Sequence, residues 1–176
     1  MTAFIDHLEE LFATKGEATY GERVTQRDHA LQTAACARAE DAEDSLVIAA
    51  LLHDVGHLVT APDDAFGQWN HGESGADFLA AHFDPAVCEP VRLHVQAKRY
   101  LCQAEPGYHA KLSPASTHTL AKQGGPFTAE EARAFLARPH AQDAIRLRRW
   151  DESGKVDGLD ILPFAAYRAR LERLCR

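Results

Sequence analysis

The residues best suited to chemistry lie in Leu51-Leu52-His53-Asp54-Val55-Gly56-His57. An apolar run, Val47 to Leu52, leads into them and reads as a buried helix. Continued to His57, that helix sets His53 beside Asp54 and places His57 one turn on, on the face of His53. A His–Asp pair in apolar surroundings is costly unless its charge is compensated. A metal ion compensates it directly, and imidazole with carboxylate suits iron, manganese or zinc. The plain alternative is a capping aspartate flanked by surface histidines, and the apolar run before the pair argues against it.

Four more residues join the pair as candidate ligands: His29, His71, His94 and Asp151. Each falls on a helix or at a helix end, on the core side of an apolar pattern. One metal takes about four protein ligands and keeps an open position for chemistry. Four histidines and two aspartates exceed that, so the surplus argues for two metals bridged by Asp54. His7, His82, His109, His118 and His140 lack this context and read as surface or packing residues.

The elements that must hold these residues are helices. Phe4, Ile5, Leu8, Leu11 and Phe12 have helical spacing, and Gly16 to Gly21 ends that helix. Thr25 is the expected N-cap of a helix over Gln26 to Ala39, with His29 one turn in. Asp44 to His57 follows, then a loop from Thr60 to Gln68 and a helix from Gly72 to His82 with His71 at its entry. Asp84-Pro85 reads as N-cap and first residue of the next helix, although Pro90 can also open one; it runs through His94 and Lys98 to about Cys102. Ser113-Pro114 starts another, to about Ala121, and Gly124-Gly125-Pro126 stops it. Thr128-x-x-Glu131 is a capping box for a helix to about Arg138. Helices over Ala141 to Trp150 and Pro163 to Cys175 complete the chain. No stretch alternates as a strand, so the expected fold is all-α, one domain over residues 1–176 built around an interior site.

Composition narrows the function. The 176 residues suffice for one real core, and a formal net charge of −7 argues against nucleic acid as the main partner. Cys36, Cys88, Cys102 and Cys175 are scattered, without a CxxC pair, and fit a reducing cytoplasm. No apolar stretch approaches membrane-spanning length, and the acidic, amphipathic N-terminus does not read as a signal peptide. A soluble cytoplasmic enzyme with a small-molecule substrate is the expectation.

The pattern H…HD…D, as His29, His53-Asp54 and Asp151, resembles the HD-domain superfamily of metal enzymes. Longer stretches are more specific. Gly21-Glu22-x-Val24-Thr25-Gln26-x-x-His29-Ala30-Leu31-Gln32, Ala49 to Leu58 and Glu89 to Cys102 are similar to the phosphonate-degradation HD-domain oxygenases, the PhnZ type. So are Leu112-Ser113-Pro114-Ala115-Ser116, Gln123-Gly124-Gly125-Pro126 and Arg148-Arg149-Trp150-Asp151. The resemblance implies an HD-domain helical bundle around two iron ions, Fe(II)/Fe(III), with O2 as co-substrate. It implies cleavage of the C–P bond of a 1-hydroxyphosphonate bearing a 2-amino or 2-trimethylammonio group, giving phosphate and a carboxylate such as glycine or betaine.

Position by position, the resemblance implies that His29, His53, Asp54 and Asp151 hold one iron, with Asp54 bridging to a second held by His71 and His94. It places phosphonate contacts at His57, Lys98, Ser116, Thr119 and Arg148, with His57 and Lys98 as catalytic residues, and sets Glu22 against the substrate ammonium. Spacing agrees with a phosphonate pocket: Lys98 is one turn beyond His94, and Arg148 is three residues before Asp151. Arginine suits bidentate contact with phosphonate oxygens, and lysine a point-charge contact. Two departures bear on substrate choice. The family's gating tyrosine, three residues before the glutamate, falls at Thr19; either Tyr20, one residue late, shifts in as the gate or the gate is absent. Gly72 stands where relatives often have glutamate, with Glu73 next to it as a replacement.

The competing enzyme reading is an HD-type metal-dependent phosphohydrolase acting on a nucleotide or other phosphate ester through metal-activated water. It needs the same H…HD…D core, and Glu22, Lys98 and the longer stretches favour the oxygenase. A non-enzymatic ligand sensor would have no need of an intact ligand set.

Overall fold

Local capping chemistry sets where several helices begin. Thr25 accepts the Asp28 N–H at 3.1 Å, Ser113 accepts the Ser116 N–H at 3.1 Å, and Thr128 with Glu131 closes a reciprocal capping box. The computed structural model describes residues 2–176. Its helices are α1 (Thr2–Lys15), α2 (Gln26–Ala39), α3 (Asp44–Leu52), α4 (Gly56–Val59), α5 (His71–Leu79) and α6 (Pro85–Ala104). Then come α7 (Tyr108–Lys111), α8 (Pro114–Lys122), α9 (Ala129–Leu136), α10 (Ala141–Ser153), a 3-10 turn (Phe164–Tyr167) and α11 (Arg168–Leu174). The described residues form no β-strand, only one isolated bridge between Asp64 and Gly67. The fold is all-helical.

The largest departure from the sequence reading lies at the central motif. One helix over Asp44 to His57 was the expectation; the chain instead forms α3, a turn at His53–Val55, and α4. Hydrogen bonds there skip back three residues: Val55 N–H to the Leu52 carbonyl at 3.0 Å, His57 N–H to that of Asp54 at 2.9 Å. A turn of about three residues takes His57 out of the register that would have stacked it on His53. Gly56 permits the crossing that follows, because a Cβ on it would lie 2.1 Å from the His71 carbonyl oxygen. α4 and α5 therefore touch backbone to backbone, and His57 comes over His71.

Other boundaries moved less. α6 starts at Pro85 and runs straight through Pro90, α7 had no sequence signal, and α10 continues past Trp150 so that Asp151 stays helical. The last predicted helix divides into the 3-10 turn and α11.

Two apolar clusters flank the site. One gathers α1, α2, α3 and α5 with Val87, Cys88 and Val91 of α6 and Leu147 and Trp150 of α10. The other gathers Tyr108, Leu120, Phe127 and Phe135 with Leu93, Ala97 and Leu101 of α6 and Ala141, Ala144 and Ile145 of α10. Among the described residues only α6 and α10 run through both.

Candidate metal centre and anion pocket

All six candidate ligands converge. The Oδ2 atom of Asp54 lies 3.5 Å from His29 Nε2 and 3.4 Å from His53 Nε2. Its Oδ1 lies 3.4 Å from His71 Nε2 and 3.6 Å from His94 Nε2. Asp151 Oδ1 completes the first group, 3.3 Å from His29 and 3.9 Å from His53. One carboxylate thus turns one oxygen to each pair of histidines.

The orientation of the rings tests whether metal fits. Nδ1 of His29, His53, His71 and His94 meets the backbone carbonyls of Gly154, Ala50, Gln68 and Val91 at 2.7, 2.9, 2.7 and 2.6 Å. A carbonyl only accepts, so each Nδ1 carries the proton and each Nε2 presents its lone pair. Nε2 of His29 faces that of His53 at 3.1 Å, and Nε2 of His71 faces that of His94 at 3.0 Å. Two such nitrogens so close in a buried site need a cation between them: a metal ion suits either pair, and at His29, whose pKa is raised by Asp151, a proton also serves. Nitrogen and oxygen donors, with no cysteine among them, suit a borderline or hard divalent or trivalent metal.

The charges fit the same picture. Burial pushes His53, His71 and His94 down from their ordinary value and so favours neutral ligands. Burial also opposes a charge on His29, but the hydrogen bond and charge of Asp151 outweigh it and raise its pKa. Burial disfavours ionised Asp54 and Asp151. The surrounding imidazoles, His53 first, outweigh this for Asp54, and Arg148 outweighs it for Asp151, so both lie below the usual carboxylate range.

His57 is built differently. Its Nδ1 accepts the Gln68 N–H at 3.1 Å, so its proton sits on Nε2. It lies within ligand reach of Asp54 and His71, yet it presents a donor rather than a lone pair. Burial, with His71 next to it, pushes it down to about 3.

Beside the histidines lies a cluster of buried cations and hydroxyls. Lys98 donates to Thr119 Oγ1 at 2.9 Å and to the Ser116 carbonyl at 3.4 Å; burial, and then Arg148, push it down to about 7. Arg148 donates to the carboxylates of Asp151 and Glu152, to Ser116 Oγ at 3.2 Å and to the Tyr108 hydroxyl at 3.2 Å. Lys98, Ser116, Thr119 and Arg148 all line one cleft with His29, Asp54, His57, His71, His94 and Asp151. The cleft leaves about 50 Å³ open to the centre of a water molecule.

The structure adds residues that sequence reasoning missed. Lys155 enters the cleft and donates to Glu22 Oε1 at 3.0 Å and to Ser116 Oγ at 3.0 Å. Its sequence signal was its position four residues after Asp151. Phe66 closes part of the roof, stacked on His118 at 4.3 Å. Gly21, at φ +82°, makes room for it, since a Cβ there would lie 2.6 Å from the Phe66 ring. Tyr20 lies over His57, ring centroids 5.1 Å apart, with its hydroxyl 3.5 Å from the His57 carbonyl oxygen. Glu73 does not enter the site: it pairs with Arg92 at 2.5 Å on the exposed side of α5. Of the histidines set aside, His82 stacks on Phe4 at 3.6 Å and His118 pairs with Asp64 at 2.8 Å.

Residues 27–152 match the HD domain family. The chain belongs to the HD-domain family. It is 40% identical over 173 residues to the hydroxymethylphosphonate dioxygenase of Gimesia maris, covering 96% of this chain and 86% of that protein. It is 35% identical over 176 residues to the glycine-betaine-forming [1-hydroxy-2-(trimethylamino)ethyl]phosphonate dioxygenase of Leisingera caerulea, covering 97% and 89%. An uncharacterized protein of Acanthamoeba polyphaga mimivirus is 32% identical over 171 residues, covering 93% and 78%. This HD-domain protein is thus homologous, over nearly its full length, to phosphonate dioxygenases. Among its described residues no helix is long and apolar enough to cross a membrane.

Proposed function

We propose that this HD-domain protein is a diiron oxygenase that cleaves the C–P bond of a 1-hydroxyphosphonate, with O2 as co-substrate and phosphate and a carboxylate as products. One observation carries the reading: a carboxylate that offers one oxygen to each of two histidine pairs, set against a buried Lys–Arg–Ser–Thr cluster. The near full-length relatives named as phosphonate dioxygenases support it.

In this reading His29, His53, Asp54 and Asp151 hold one iron, while Asp54, His71 and His94 hold the other. The irons, when bound, supply the chemistry that activates O2 and takes electrons from carbon. The chain supplies position and charge. Lys98, Arg148, Ser116 and Thr119 bind phosphonate oxygens, and the Nε2–H of His57 donates to the same group. Burial strengthens each of these contacts, because water does not screen them. Arg148 also holds Asp151 and so ties phosphonate binding to a metal ligand. Phe66 and Tyr20 cover the cleft and keep bulk water from the reacting carbon.

The test is a panel of 1-hydroxyphosphonates and phosphate esters given to iron-loaded protein, with phosphate and O2 measured together. Phosphate released in step with O2 consumed is the expected result. Phosphate released from esters without O2 uptake would overturn the oxygenase in favour of the phosphohydrolase.

A further inference from the structure

A second chamber adjoins the candidate metal centre. It leaves about 180 Å³ open to the centre of a water molecule, against about 50 Å³ in the cleft. Trp69, Asn70 and Gly72 of its lining bracket His71 in the chain, and Val95 and Gln96 follow His94. On α6 the cleft takes His94 and Lys98, whereas the chamber takes Arg92, Gln96 and Arg99. Helical spacing puts these two sets on different faces, with Val95 between them. Among the described residues Val95 is the one that lines both spaces.

The wall between chamber and metal centre is thin. Gly72 brings no side chain to it, and a Cβ there would lie 3.4 Å from His94 Cε1. Val95 adds an isopropyl group and is only partly buried. The charges of the chamber are already paired. Arg92 meets Glu73 at 2.5 Å, Asp77 at 2.8 Å and Glu89 at 3.1 Å. Arg99 donates to the Gly125 carbonyl at 2.7 Å and the Gly124 carbonyl at 3.3 Å, and lies over the Phe127 ring. A charged guest would have to break these pairs to find a counter-ion. Among the described lining residues the one buried polar atom without a partner is Gln123 Oε1, which is uncharged. Such a lining suits a small neutral guest and holds it loosely.

The proposed reaction brings two molecules to one centre. A phosphonate held by Lys98, Arg148, Ser116 and Thr119 under Phe66 occupies the cleft, so the cleft is a poor path for the second molecule. The metal assigned to Asp54, His71 and His94 has fewer protein ligands than its neighbour and keeps positions open. Its two histidines are the ones the chamber adjoins. We propose that the chamber is the entrance for O2, and that O2 passes Val95 to reach this metal while the phosphonate stays in the cleft. The proposal rests on the oxygenase reading above.

Gln96 lines the chamber and not the cleft, so Gln96→Phe and Gln96→Trp fill the chamber from a position clear of the substrate. Wild-type crystals pressurised with xenon should hold xenon in the chamber, and Gln96→Trp crystals should not. Nitric oxide serves as the O2 surrogate, mixed anaerobically with reduced, iron-loaded protein carrying the most active 1-hydroxyphosphonate of the panel. Its capture, followed by absorbance, should slow at least about fivefold in Gln96→Trp and less in Gln96→Phe. In air the KM for O2 should rise in the same order, while iron content and the KM for the phosphonate stay unchanged. A wild-type chamber without xenon would overturn the proposal. Nitric oxide capture at the wild-type rate in both variants would do so too, as would variants that weaken phosphonate binding as much as they slow capture. No O2 uptake with any phosphonate would instead overturn the oxygenase reading. Xenon, and nitric oxide capture by substrate-free protein, would then still decide whether the chamber leads to the metals.

Discussion

His57 and His71 stack with ring centroids 4.1 Å apart, and the backbone of Gln68 gives them opposite tautomers. Its N–H donates to Nδ1 of His57, and its carbonyl accepts from Nδ1 of His71. Neighbouring imidazoles are therefore set up for different work: in the proposed function the lone pair of His71 serves a metal, and the proton of His57 an anion. His57→Ala is expected to retain both irons and lose affinity for hydroxyphosphonate. His71→Ala is expected to lose iron. Metal analysis of the two purified variants checks this, and equal iron loss in both would defeat the division.

Asp54 touches both histidine pairs, so its removal should be felt at both. About two irons per chain are expected in the wild type. Asp54→Ala should retain almost none, whereas His94→Ala should empty one site preferentially. Full occupancy in Asp54→Ala would rule out a bridge.

Arg148 is more than a proposed substrate contact, because it lies between the carboxylates of the buried Asp151 and the partly buried Glu152. Arg148→Ala would remove the cation closest to both, leaving Lys155 at 3.9 Å from Asp151 and 3.6 Å from Glu152. Breaking a buried pair by removing one partner costs about 3–5 kcal/mol. Chemical denaturation of the metal-free protein should show a loss of that order, and a change under ~1 kcal/mol would place Arg148 outside the structural network.

Lys98 gives a pH dependence with a definite sign. Burial brings it to about 7, so it is charged below that value and increasingly neutral above it. Affinity for a phosphonate should fall as pH rises through about 7, and Lys98→Arg should flatten that limb because guanidinium stays charged. The stability linkage has the opposite trend. Below pH 7 both folded and unfolded states carry the proton and the full burial penalty applies; between 7 and the ordinary lysine value of 10.5 the unfolded state binds more protons and the penalty is relieved. Binding and unfolding measured across pH 6 to 9 check both signs, a range set by that value.

Tyr20 directs its hydroxyl at the His57 carbonyl oxygen. Tyr20→Phe is therefore expected to leave the visible spectrum of the iron-loaded protein unchanged and turnover nearly so. A visible band in wild type that is missing in Tyr20→Phe and fades as substrate is added would restore the tyrosine gate that the family resemblance implies.

The convergence of the candidate ligands was legible because metal chemistry restricts side-chain type and helices restrict spacing: His29, His53-Asp54, His71, His94 and Asp151 could be picked out before any coordinates. What a ring does was not legible. The contrast between His57 and His71 depends on the backbone N–H and carbonyl of one residue, Gln68, in the loop before α5, and no residue type encodes it. The break after Leu52 was hidden for a related reason: His53 and Val55 stay close to helical angles, and only Gly56 hints that two backbones must touch. Glu22 was read through its own charge. Its partner Lys155 lies beyond the end of α10, 133 positions away in the chain numbering, and both fall outside the HD domain match of residues 27–152.

α6 and α10 each pass through both apolar clusters, and in the proposed function each carries one metal ligand and one phosphonate contact. A helix rises about 1.5 Å per residue, so His94 and Lys98 are set about 6 Å apart along one axis, and Arg148 and Asp151 about 4.5 Å along the other. These helices act as two fixed rulers between the oxidising end of the site and the end that grips the phosphorus group. Repacking the cluster around Tyr108, Leu120 and Phe127 can reshape the grip without recalibrating the distance to the metals. On the proposed function, a lineage could drift from one phosphonate to another through the cluster that backs the grip while the ligands on the same two helices stayed where they are.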